Sequence, residues 1–183
     1  EPIAIAYGAA KAREVLGCLP DSVLIEASGN IIKNVKSVVV PNTGGLKGIE
    51  AAAAAGIVAG DAGKILEVIS EVTEAQKADI RAYMESHEMR VAPAEGDVIF
   101  DIIITLKSGE DSVKLRIADY HTNIILIQRN GETLLDHGEI SSGAESSGLT
   151  DRTCMSVEGV LEFAAYCDLE DVRELVERQI NYN

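Results

Sequence analysis

Pro41 to Gly60 read PNTGGLKGIEAAAAAGIVAG. The β-branched run Val38-Val39-Val40 stands before it and reads as strand. Pro41 stops that strand, because it has no N–H to give a ladder. Asn42-Thr43-Gly44-Gly45 is turn chemistry, with glycines that tolerate positive φ. A helix built largely of alanine follows to about Gly60, with Gly48 and Gly56 inside it. A helix with so little side chain must lie very close to its neighbour. A Gly-Gly loop feeding a helix N-terminus also offers bare N–H groups and a positive dipole end to a carboxylate or phosphate. Two readings stand side by side: a tight turn before a packing helix, or an anion-binding loop.

Outward from this stretch, the first half reads as helical with little strand. Pro2 suits a first helical turn, Ile3–Leu16 continues it, and Gly17 fits a C-terminal cap. Val23-Leu24-Ile25 reads as strand, ending at Ser28-Gly29-Asn30, and residues 31–40 read as extended. A second helical stretch covers Gly63–Ser70. Thr73 with Gln76 fits a capping box and opens a helix to about Ser86. The second half changes character. Glu88–Val91, Val98–Leu106, Val113–Ile117, Asn123–Gln128 and Thr133–Leu135 read as strands. Ser108–Asp111 and Asn130-Gly131 are hairpin turns. Residues 138–150 are small and polar, hence a loop, and helices Ser156–Tyr166 and Leu169–Ile180 close the chain. The order of elements predicts one α+β domain over residues 1–183, with a mixed, largely antiparallel sheet packed by helices.

The 183 residues suffice for one domain with a real core. Aromatics make up 4% and Trp is absent, so aliphatic side chains must fill that core, and no stacking platform for single-stranded nucleic acid is expected. Net charge is −14, with no run of Lys or Arg, which disfavours nucleic acid and anionic membrane as partners. No segment reaches the roughly 20 apolar residues of a membrane helix. Cys18, Cys154 and Cys167 are an odd set without a CxxC pair. Their spacing gives neither a zinc site nor a disulfide framework, so no metal site is expected and a cytoplasmic location is.

Tyr120-His121-Thr122-Asn123 interrupts two apolar strands with hydrogen-bonding side chains. Histidine works as donor, acceptor, acid or base near neutrality. The alternative is a turn whose side chains satisfy their own backbone. His87 reads as a helix-end residue and His137 as a surface residue. Residues 162–177 carry an acidic run that reads as a solvated helix face. The Gly44-Gly45 loop lacks both GxxxxGK[ST] and GxGxxG, so a nucleotide is not expected there.

Three blocks carry a family resemblance: EPIA at the start with AAKAREVLG at 9–17, then SGNIIKNV at 28–35 with VPNTGGLKGIEAAAAAGIVAGD at 40–61, then YHTNI at 120–124. Their order and spacing resemble the iron–sulfur L-serine dehydratase α-chain-like family that includes L-cysteine desulfidase, along the whole chain. Family members are considerably longer, so the chain resembles their N-terminal half. The resemblance implies a lyase that removes the α-proton and β-substituent of an amino acid, giving pyruvate and ammonia. It implies a [4Fe–4S] cluster with one iron acting as Lewis acid on the leaving group. The family's cluster cysteines lie in its C-terminal half, so cluster ligands are expected outside this chain and none of Cys18, Cys154 and Cys167 takes that role. The family's candidate base is a cysteine just before the Glu-Pro seen here as Glu1-Pro2, so no catalytic residue is expected in this chain. Thr43, Gly44, Gly45, His121, Thr122 and Asn123 match family blocks and are the expected substrate-binding residues. The implied partners are a small amino-acid substrate and the cluster-bearing C-terminal half, with homo-oligomerisation open. This half is also distantly similar to the β portion of two-part serine dehydratases and to allosteric substrate-binding domains. That likeness keeps an alternative: a small-anion or amino-acid binding regulatory module without chemistry of its own.

Overall fold

Glycine and alanine set the spacing of the helical layer. Helix α1 (Pro2–Leu16) buries Ala4, Ala6, Ala9, Ala10 and Ala12, and α3 (Gly48–Ala59) buries every residue from Ala51 to Ala55. The two lie backbone to backbone. A Cβ placed on Gly56 would fall against the carbonyl oxygen of Ala6, and one on Gly60 would come within 2.8 Å of the Ala10 methyl. Gly8 does the same toward the sheet, where a Cβ would sit 2.9 Å from Ile104 Cδ1. Gly17, at φ 86°, ends α1 in the left-handed conformation a C-terminal glycine provides.

The computed structural model describes residues 1–138 and 155–182. The chain divides into two compact units, Glu1–Ser142 and Gly143–Asn183. The first is α+β. Its strands are β1 (Ser22–Ala27), β2 (Glu88–Pro93), β3 (Asp101–Ser108), β4 (Asp111–Ala118), β5 (Ile124–Arg129) and β6 (Glu132–Asp136). They form one six-stranded sheet in the order β2-β1-β3-β4-β5-β6. Only β1 and β2 run parallel, and every other pair is antiparallel. The sheet is thus mixed and mostly antiparallel, as the order of elements predicts. Alternation along the strands sends Val23, Ile25, Ile102, Ile104, Leu106, Val113, Leu115 and Ile117 into the core beneath the helices. Leu24, Glu26, Ile103, Thr105, Lys114 and Arg116 take the opposite face.

Helix α4 (Glu74–Ser86) opens on the expected capping box, with Thr73 Oγ1 accepting from Gln76 N and Gln76 Oε1 accepting from Thr73 N. Tyr83 on α4 is the one aromatic side chain buried among the described residues. Its hydroxyl donates to Pro20 O at 2.7 Å, and His87, at the helix end, stacks on its ring with centroids 4.1 Å apart.

Residues 31–40 correct the extended reading. Gly29–Val35 is helix α2, capped by Ser28, whose side chain accepts from Ile31 N. Ile31 and Val35 are buried and lie one turn apart, so a helical period overrides the β-branched composition. Val38-Val39-Val40 forms no full strand; Val39 makes a single antiparallel bridge to Lys47. Residues Ala62–Glu67 form a 3₁₀ segment broken at Ile65 (φ 51°, ψ −110°), where a continuous helical stretch is expected. The second unit holds α5 (Val157–Tyr166) and α6 (Leu169–Tyr182), the two closing helices expected. The polar stretch beyond Gly138, and Cys154, lie outside the described residues. No helix among the described residues is long and apolar enough to cross a membrane.

Two outcomes follow for stability. Gly56→Ala should lower unfolding free energy by about 1–3 kcal/mol in urea titration, because the new methyl meets backbone that cannot yield, although alanine is the better helix former. Gly29→Ala, where nothing lies within 4 Å, should change it by no more than about 0.5–1 kcal/mol and in the stabilising direction. The second outcome concerns pH. Burial, reinforced by the Asp21 carboxylate, pushes the Tyr83 phenol from its ordinary value of 10.0 up to about 12. The fold holds this proton more tightly than the unfolded chain does, so its contribution is intact below pH 10.0 and is lost between there and about 12. Tyr83→Phe should flatten that loss in chemical denaturation followed across the same range.

Candidate functional site

The loop into α3 is built as a narrow clasp. Val40 N donates to Leu46 O and Gly48 N to Val38 O, so residues 38–40 and 46–48 pair across the Val39–Lys47 bridge. Pro41 to Gly45 form the tip. Asn42, Gly44 and Gly45 all have positive φ (58°, 69° and 91°), as does Gly48 at the base (93°). Asparagine and glycine are the residues that enter this region at least cost. Three ties hold the tip. Asn42 Nδ2 donates to Ile69 O and Ser70 O, Thr43 Oγ1 donates to Val40 O at 2.7 Å, and Arg81 Nη2 donates to Gly44 O at 2.9 Å.

The expected site residues therefore differ in position. Thr43 is 0% exposed, and its hydroxyl is spent on the loop's own backbone. Gly44 and Gly45 are exposed at the tip. Helix α3 begins only at Gly48, whose N–H is already bonded to Val38 O. Lys47 at its N-cap gives no side-chain hydrogen bond, and Glu50 lies in the first turn.

His121, Thr122 and Asn123 occupy the loop between β4 and β5. Asn123 Nδ2 donates to Ala118 O and Asn123 N to Tyr120 O, so the asparagine closes its own turn. His121 is exposed and rests on the Phe100 ring, with centroids 4.6 Å apart and planes tilted by 50°. The hydrogen bonds of this loop and those of the 41–45 tip run to different neighbours. The tip is fastened to residues 69–70 and 81, and the 119–123 loop to residues 100 and 118.

The 28–35 block and the loop that carries the 120–124 block both contact residues 99–101. Ser28 Oγ donates to Ile99 O at 2.6 Å, and Ser28 N donates to Asp101 O. On the other side of the same segment, Asp119 N donates to Phe100 O. Beneath these contacts lies a charge pair that sequence reading misses. Asp101, 1% exposed, accepts from Arg116 Nε at 2.8 Å and from Nη2 at 2.9 Å. The two-point fork is the strong arrangement for arginine and carboxylate. The Asp101 hydrogen bond, outweighing burial, raises the Arg116 pKa above its already high ordinary value. The alternation of β4 does place Arg116 on the face away from the helices, but only the β3–β4 register brings it to Asp101.

The metal-ligating types do not gather. Cys18 is exposed, Cys167 is half-buried in the second unit, and among the described residues no three His, Cys, Asp or Glu side chains could hold one ion.

Comparison with known proteins gives relatives along the full chain. It is similar to a UPF0597 protein of Desulfitobacterium hafniense, with 57% identity over 183 residues. It is 42% identical to one from Treponema denticola and 43% identical to one from Lachnoclostridium phytofermentans, each over 183 residues. The match takes in 100% of this chain and 42 to 43% of each relative, so the chain spans about two fifths of the length of the curated relatives it matches. Their name states no activity. No family model and no solved structure matches the chain.

Arg116→Met should be the costly change at this end of the sheet. It leaves a buried carboxylate unpaired, and the expected loss is about 3 kcal/mol, the low end for a broken buried pair because the guanidinium side is partly hydrated. Adding Asp101→Leu should recover most of it in the same urea titration. Equal stability of the single and double variants would show that the pair carries no such burden.

Proposed function

We propose that this chain is the amino-acid-binding part of an iron–sulfur-dependent lyase of the L-serine dehydratase and L-cysteine desulfidase type, giving pyruvate and ammonia by α,β-elimination. The observation that carries the reading is the 41–45 tip, where Asn42, Gly44 and Gly45 are left-handed, hydrogen bonds tie Asn42, Thr43 and Gly44, and Gly44 and Gly45 stay exposed. A tip so constrained is pre-organised for a ligand group. Arg81 beside Gly44 adds a cation suited to an amino-acid carboxylate. The contacts that the 28–35 block and the loop carrying the 120–124 block both make with residues 99–101 also support the reading, since both blocks belong to the family resemblance.

Within this reading the roles separate. Gly44 and Gly45 bind, Thr43 sets the tip's shape from inside, and His121 with Thr122 and Asn123 forms a second polar wall. The described residues do not fit a cluster, because no thiolate set gathers among them. The reading assigns the cluster to polypeptide outside this chain.

The test is anaerobic reconstitution of the full-length protein with iron and sulfide, then pyruvate assays with L-serine and L-cysteine. Turnover of either is expected. Gly45→Val forces a β-branched side chain to φ 91° and should abolish turnover while the protein stays folded. His121→Ala should lower kcat/KM by roughly tenfold or more, the range for losing a contact to a charged substrate group, with little change in Tm. Substrate binding without turnover in the reconstituted enzyme would favour the regulatory binding module. Normal kcat/KM in both variants would overturn the site.

A further inference from the structure

Helices α5 and α6 are apolar without being buried. Among the described residues, ten of the eighteen exposed large hydrophobics lie between Met155 and Ile180, among them Leu161 at 65%, Phe163 at 60% and Leu175 at 73%. In α5 only Glu158 and Glu162 are charged, and they lie one turn apart on a single narrow stripe. A helix apolar over the rest of its circumference belongs inside a bundle, with neighbours on more than one side. Helix α6 is different. Leu169, Val172, Val176 and Ile180 recur at helical spacing along one side, and charged residues fill the other. It is built to lie at the outside of the same bundle.

We infer that α5 and α6 are the docking face for further helices of a longer polypeptide that contains this chain, apolar along the seam and basic at the rim. Two observations choose that occupant over a second copy. Relatives that match all 183 residues are more than twice as long, so they carry ample chain for such helices. Residues 155–182 hold seven acidic residues against two basic ones, so two copies face to face would oppose like charges. The inference rests on the reading that the chain is part of a longer protein, and not on that protein's chemistry.

The experiment uses full-length protein mixed from light and heavy isotope-labelled batches. Hydroxyl-radical footprinting reads exposure, and zero-length carbodiimide cross-linking reads neighbours. Leu161 and Phe163 should label as slowly as the buried Leu115, and Glu158 and Glu162 should link, within one molecule, to lysines outside residues 1–183. Light-to-heavy links would assign the face to a second copy and overturn the inference. So would links to lysines of the first unit, or labelling as fast as the exposed Ile99. A lyase assay on the same sample separates the two readings. Protection without activity keeps the docking face and removes the lyase, and activity with bare helices does the reverse.

Discussion

Backbone contact between α1 and α3 is the constraint on which the first unit depends. Helices usually pack through interleaved side chains at 8–10 Å. Here Gly56 and Gly60 meet Ala6 and Ala10 with no room for another carbon. The contact forms only if both helices keep small residues at matched heights, so the alanine run is a geometric requirement as well as a helix-forming one. With the pair drawn together, α1 reaches across β3 and β4 through Gly8, and α3 is left beside β1 and β2.

That arrangement fixes the clasp at the start of α3. Because α3 is pinned along its length, residues 38–48 have little freedom at the helix end, and the tip is tied further by Asn42, Thr43 and Arg81. Its left-handed conformations are thus maintained by contacts from two separate parts of the chain, residues 69–70 and Arg81, and by one bond within the loop itself. The Asp101–Arg116 pair performs a comparable task at the sheet end, where Ser28, residues 99–101 and the 119–123 loop converge.

Local chemistry made much of this readable in advance. The capping box at Thr73, the Asn130-Gly131 turn, the Gly17 cap and the strand over 113–117 each depend on a few neighbouring residues, and each formed where expected, while the strand expected over Val98–Leu106 begins only at Asp101. Failures came where composition and period disagreed. Ile31, Ile32 and Val35 have strand-forming side chains at helical spacing, and the Ser28 cap with burial of one face decided for helix. Within the site, glycine at 44 and 45 announced the positive φ angles. The burial of Thr43 and the pairing of Asp101 with Arg116 did not show, because each is set by packing or register between distant residues.

The sheet also has two margins, β2 and β6, and their composition bears on assembly. A bare strand at a margin can recruit a strand from another molecule. Strand β2 carries Glu88 and Arg90 and ends at Pro93, which has no N–H to offer an incoming chain. Strand β6 is five residues long and places Glu132 and Asp136 at its ends. Both margins oppose lateral growth by added strands. At both ends of the described sheet, then, charged side chains, a proline or a short strand weaken the template an added strand would need.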